Sequence, residues 1–181
     1  KRQSQYGYSS FEYPLFQNSE VSAYESFVLR NSGNDWTSSM LRDGFITGLA
    51  DDTNIDHQLY RPAVIYLNGE YWGIQNIREK VNEHFLSSHH DIPPEHIDLL
   101  DIQGIYSENI VHGTNIDYLN LLDYLENNDI EDSSVQSGIE GWIDINSFMQ
   151  YQAFQIFIDN RDWPGNNIKF WRDHRTSGKW R

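Results

Sequence analysis

The dipeptide Asn68-Gly69 constrains this chain more than any other feature, because it sits between two apolar runs, residues 63–67 and 70–77. Both runs are rich in β-branched and aromatic residues. A two-residue Asn-Gly connection suits a type I′ turn, in which both central residues take positive φ. Such a hairpin fixes register, and register decides which side chains share a face. Pro62 stands at the start of the first strand, where a missing N–H is tolerated. Tyr71-Trp72 is expected to pack into a core, with pocket lining as its other use.

The remaining segments fall around this hairpin. Residues 11–16 and 26–30 read as short strands, and Asn31-Ser32-Gly33-Asn34 as a turn. Asn34 or Asp35 can cap a helix over residues 36–50, on a loose stripe of Trp36, Met40, Phe45 and Leu49. Gly44 and Gly48 lower its propensity and allow another backbone to approach. Arg42-Asp43 reads as a solvated or locally paired couple, or as a buried charge.

After the hairpin, a helix is expected over residues 79–89, a strand over 97–102 and a loop over 105–113. His84, His89 and His90 lack the spacing of a zinc motif. Thr114 can cap a helix over residues 115–127, with Ile116, Leu119, Leu122 and Leu125 as its stripe. Residues 128–141 read as an acidic connection. The last helix, 144–158, has Asp144 as N-cap and Ile145, Phe148, Met149, Ala153, Ile156 and Phe157 facing inward. Asn160 is suited to the left-handed turn that ends it, and Pro164-Gly165 to a turn with Gly at positive φ. A strand over 168–171 follows, and 174–178 is expected to turn the chain toward Lys179-Trp180-Arg181.

Bulk properties narrow the function. The chain has 181 residues, enough for one domain with a core or two small lobes. Its net charge of −14, with no basic cluster, offers no footprint for a phosphate backbone, so nucleic acid is not an expected partner. The absence of cysteine excludes disulfides and thiolate metal sites. No apolar run is long enough for a transmembrane segment, and no signal peptide is visible. The termini read as those of an internal fragment.

The chemistry concentrates in residues 159–171, D-N-R-D-W-P-G-N-N-I-K-F-W, between a helix and a strand. Asn160-Arg161-Asp162, four residues, then Asn167 parallels the H-R-D-x-x-x-x-N loop of phosphotransferases, with Asn in the His position. A carboxylate can take the proton of an attacking hydroxyl. An amide oxygen five residues on can reach a metal that bridges phosphates. Asp162 suits the first role and Asn167 the second, with Asn166 as alternative; Arg161 can pair with a phosphate or an acid. The same residues can instead brace a tight turn through side-chain–backbone bonds. A weaker reading is a metal-assisted hydrolase using Asp159, Asp162 and Asn167. No G-x-S-x-G, G-x-x-x-x-G-K-[ST] or G-x-G-x-x-G motif is present.

Several stretches together resemble the spore coat protein H (CotH) kinase family. They are R-P-A-V-I-Y-L-N-G-E-Y-W-G-I-Q-N-I-R-E-K-V-N-E-H-F-L (61–86), I-D-L-L (97–100) and N-R-D-W-P-G-N-N-I-K-F-W-R (160–172). F-V-L-R-N-S-G-N-D-W (27–36) and M-L-R-D (40–43) add to them. The resemblance implies an α+β, atypical protein-kinase-like fold, incomplete here: part of a small lobe over about 1–78 and part of a large lobe over about 79–181. It implies ATP and Mg²⁺ or Mn²⁺ as cofactors and transfer to Ser or Thr of exported, coat or surface proteins. Asp162 would be catalytic, Asn167 a metal ligand and Glu79 a nucleotide-side residue. The helix with Arg42-Asp43 would resemble the regulatory helix, where Asp43 would have a phosphate-binding Lys as a conceivable partner. That Lys and a second metal-binding Asp are expected outside residues 1–181, so this piece alone is expected to be nearly inactive. The alternative is a pseudokinase or surface-binding module that keeps the fold without the chemistry.

Overall fold

Two short strands, β1 (Phe11–Glu12) and β2 (Ala23–Tyr24), pair antiparallel ahead of β3 (Phe27–Arg30). The computed structural model describes residues 7, 10–17, 19–103, 108–175 and 178–181. The strand expected over 11–16 is therefore only two residues long. Pro14 follows, and a proline supplies no ladder donor. After β3 the chain makes a 3₁₀ turn, Gly33–Asp35, and reaches helix α1 (Arg42–Gly48). The helix expected from Trp36 starts later because Asp35 organises an intervening loop. Its carboxylate accepts from the Ser39 hydroxyl (2.6 Å), the Ser39 amide (3.3 Å) and the Arg42 amide (3.0 Å).

The hairpin forms with longer arms than the sequence predicts: β4 is Tyr60–Leu67 and β5 is Glu70–Glu79. Asn68 (φ 52°) and Gly69 (φ 86°) take the positive angles the turn requires. The sheet order is β3-β5-β4, fully antiparallel, with a bulge between Ile65 and Tyr66. Leu15, Phe16 and Tyr24 form the core beside it, with Val21, Phe27, Leu59 and Ile77 packed around them. Tyr71 and Trp72 do not enter this core; they are 63% and 65% exposed at the free end of the hairpin. Of the two helix glycines, Gly44 admits a neighbour: a Cβ there would lie 2.7 Å from the Tyr60 ring. A Cβ on Gly48 would meet no neighbour within 4 Å among the described residues.

Helix α2 (Glu83–His90) begins four residues later than expected. Glu79 is still paired with Phe27 in the sheet, and the Asn82 side chain accepts from the Phe85 amide (3.0 Å) as the helix starts.

Residues Lys1–His89 and His90–Arg181 form two compact units. The second is built on β6 (Ile97–Ile102), which the sequence places correctly. β6 is the middle strand of a sheet ordered β7-β6-β8, with β7 (Glu108–His112) and β8 (Ile168–Asp173) antiparallel to it. Part of the loop expected over 105–113 is thus a strand; residues 105–107 lie outside the described residues. Ile97, Leu99 and Leu100 are fully buried. Each such side chain contributes about 1.5–3 kcal/mol by leaving water.

Helices α3 (Ile116–Asn127), α4 (Ser133–Trp142) and α5 (Ile145–Phe157) follow. In α3 the buried stripe is Tyr118, Leu121 and Leu125, while Ile116 and Leu119 are exposed. Tyr118 turns this face inward by packing on Phe170 and Trp180. Asn115, not Thr114, is the N-cap of α3. α4 replaces the acidic connection expected over 128–141, because Asp132 caps it by accepting from the Ser134 amide (2.8 Å).

Asp144 caps α5 as expected, accepting from the Ser147 amide (3.0 Å). The face expected inward is outward: Ile145, Phe148, Met149, Ala153, Ile156 and Phe157 are all exposed. The half-buried stripe is Ser147, Tyr151, Phe154 and Ile158. The helix is turned this way by its N-terminus, where the Asp144 amide donates to the Trp180 carbonyl (3.0 Å). Trp171 and Arg181 exchange backbone bonds of 3.0 and 2.9 Å, so the chain does return beside β8. Residues 176 and 177 of the expected turn lie outside the described residues. No helix among the described residues is long and apolar enough to cross a membrane.

Candidate functional site

The loop between α5 and β8 is held at both ends. At its start Asp159, not Asn160, takes the left-handed conformation (φ 50°) that ends the helix. Asn160 has a different task. Its amide donates to the Gln155 carbonyl (3.1 Å), and its side-chain nitrogen to Gln155 Oε1 (2.7 Å). Its side-chain oxygen accepts from the Asp162 amide (3.1 Å). Asn160 therefore ties the backbone of Asp162 to the last turn of α5. At the far end Asn167 (φ 58°) takes the second left-handed position, and the next residue, Ile168, pairs with Ile102 in the sheet. The Trp163–Pro164 bond between them is cis.

Asp162 and Asn167 are both exposed on this loop. Among the described residues, no hydrogen bond engages the Asp162 carboxylate or the Asn167 side chain. Arg161 is paired instead with Asp159, at 3.2 and 3.3 Å, and both are highly exposed. A pair so exposed adds little stability, typically under about 1 kcal/mol. It does leave Arg161 free to exchange its partner for another anion.

Glu79 lies in the other unit, at the end of β5, and is only 3% exposed. It does not start a helix, since α2 begins only at Glu83. One carboxylate oxygen meets His89 Nε2 (2.8 Å) and the other accepts from the Leu59 amide (3.0 Å). It borders a cleft of about 230 Å³ whose walls include Tyr24, Ser26, Lys80, His84 and Ser88.

Asp43 on α1 pairs with Arg78 of β5 through a very short contact, and with Arg30 of β3 at 3.6 Å. Arg42 points elsewhere, to Asp35 at 3.6 Å. Hydrogen bonds from Ser39 and the Arg42 amide pull the Asp35 carboxyl down to about 2.

One cluster escaped the sequence analysis. Asp98, buried in β6, accepts from the Thr114 amide (2.9 Å) and faces Arg172 Nε (3.3 Å) and His174 Nδ1 (3.6 Å). Arg172 also pairs with Asp117 of α3 (2.7 Å). The signal was present as an Asp inside the apolar run I-D-L-L-D-I. A charge there needs partners, and these fix the end of the strand that leaves the loop. Gly113 permits the approach. It takes φ 73°, and a Cβ on it would collide with the Asp98 carboxylate and the Ile97 carbonyl.

Among the described residues, no three His, Cys, Asp or Glu side chains gather as a metal cage. The amide oxygen of Asn167 is a ligand type that magnesium or manganese accepts when phosphate oxygens and water complete the shell. An exposed amide oxygen on an open loop fits that kind of site better than a closed cage.

No curated protein matches the chain at a significant level. The model of a family described as CotH kinase protein matches residues 3–181. With this match over nearly its whole length, the chain belongs to the CotH kinase protein family.

Proposed function

We propose that this chain is part of an atypical protein kinase-like domain that moves the γ-phosphate of ATP to Ser or Thr of exported, coat or surface proteins. Its α+β architecture, with three small sheets among the described residues, is compatible with part of a small lobe and part of a large lobe, about 1–78 and 79–181. The observation that carries the proposal is the loop itself. In a chain of this family, Asp162 and Asn167 stand exposed on one loop between a helix and a strand, and Asn160 anchors the amide of Asp162.

Asp162 accepts the proton of the acceptor hydroxyl as the new O–P bond forms. Asn167 would hold a divalent ion, Mg²⁺ or Mn²⁺, through its side-chain oxygen, and the ion would supply charge neutralisation on the phosphates. Arg161 leaves Asp159 to meet phosphate charge. Glu79 stands on the nucleotide side. The family name associates the protein with spore coats, and an exported or surface location accords with that.

The test incubates the chain, extended at both ends, with radiolabelled ATP, magnesium or manganese, and a Ser-rich basic acceptor, beside its Asp162→Ala variant. Label in the parent and none in the variant is the expected result. No label in either, with both folded, would favour a pseudokinase or surface-binding module. Asn160 in the place usually held by His is the feature that keeps this second reading open.

A further inference from the structure

We propose that Arg78 and Glu79 are positioning residues that couple α1 to α2 through the backbone of Gln58-Leu59. Adjacent residues of a strand point to opposite faces. Here one strand end sends two buried charged side chains in opposite directions, and both return to the same dipeptide. Arg78, 1% exposed, donates from Nε to the Leu59 carbonyl (3.2 Å) and from Nη2 to the Gln58 carbonyl (3.2 Å). Its Nη1 meets Asp43 of α1, and its Nη2 reaches the Thr47 hydroxyl (3.4 Å). Glu79 accepts from the Leu59 amide with one oxygen and meets His89 of α2 with the other. The Gln58 side-chain amide donates to the Glu79 carbonyl (2.5 Å).

The backbone polar groups around Gln58-Leu59 are thus held from both sides by two consecutive residues. Each terminal nitrogen and oxygen of the two side chains has a partner, so little slack separates the helices. A buried carboxylate that loses a partner must move or admit water. If His89 lets go of Glu79, the hold on the Leu59 amide weakens, the two carbonyls shift, and Arg78 loses the geometry that reaches Asp43. By linkage the same coupling runs from α1 to α2. The same contacts say how Glu79 would serve a nucleotide side. It holds α2 and one wall of the cleft through contacts already filled, rather than through a free carboxylate. That last point alone rests on the kinase-like reading.

The test is amide hydrogen exchange on the protein without nucleotide, so an absence of ATP affinity would not affect it. His89→Ala removes a side chain that is 26% exposed, together with its ring contact on Phe85, which His89→Gln also removes. Exchange should rise about tenfold at Leu59 and across α1, as well as in α2. His89→Gln, whose amide can donate to Glu79, should restore α1. Asp43→Asn should raise exchange in α2 in return. A change confined to α2 in His89→Ala, or to α1 in Asp43→Asn, would overturn the coupling, and so would failure of His89→Gln to restore α1.

Discussion

Arg78-Glu79 and the loop 159–167 are both charged stretches at the end of a regular element, with opposite surroundings. Arg78 and Glu79 are almost wholly buried, and each terminal group has a partner. In the loop, the Asp162 carboxylate is exposed and its residue is held only through the backbone, by Asn160. A buried, fully bonded charge can support neighbouring elements, but its bonds are already committed. An exposed carboxylate on a braced backbone adds little stability and remains available for chemistry. The contrast separates groups that hold geometry from groups that can act.

The strongest way to break this contrast is Arg78→Ala. It leaves two carbonyls without their donor and Asp43 with only the 3.6 Å contact to Arg30, and should lower unfolding stability by roughly 3 kcal/mol, the low end for a broken buried pair because Asp43 is partly exposed. Denaturant melts measure it; a loss under about 1 kcal/mol would show that the network carries little weight. Next is Asn160→Ala, which removes the brace but no catalytic atom. A cap-like loss of about 1 kcal/mol is expected in the same melts, together with slower phosphate transfer at unchanged folding.

Acid titration sharpens the comparison with a carboxylate of intermediate kind. Asp35 is buried beneath its own loop and bonded mostly to local backbone, and its pKa falls from 3.8 to about 2 on folding. Its stabilisation is therefore complete above about pH 4 and is lost as pH falls toward 2. Asp35→Asn should be less stable than the parent at neutral pH, with the gap closing through that window; a gap constant with pH would remove the assignment. The smallest expected stability change is that of Asp162→Asn. It should stay within about 0.5 kcal/mol of the parent while phosphate transfer disappears. A marked loss of stability would place Asp162 among the supporting residues instead.

Local rules explain what the sequence made visible. Asn68-Gly69 reads clearly because only a few residues tolerate two successive positive φ angles. The residues of β6 stand out because four of its six are Ile or Leu in a short run, although Asp98 and Asp101 interrupt it. Asp144 reads as a cap because its bond spans three residues. The features that were hidden depend on distant partners. Asp43 and Arg78 are 35 residues apart, and Asp98 and Arg172 meet only through sheet pairing. The inward face of α5 could not be read from apolar spacing, since a carbonyl at Trp180 orients the helix. In the candidate site, the positions of Asp162 and Asn167 followed from spacing. The brace by Asn160 did not, because its partner Gln155 lies back in the preceding helix.

The tryptophans divide between the two units in a useful way. Trp36 and Trp72, in the first, are 46% and 65% exposed, whereas Trp171 and Trp180, in the second, are 6% and 4% exposed. Trp142 and Trp163, also in the second unit, are half-buried, so the intrinsic emission runs from a red-shifted part open to a soluble quencher to a blue-shifted part shielded from it. The most shielded emission comes from the second unit alone, and its loss on unfolding can be followed in unmodified protein.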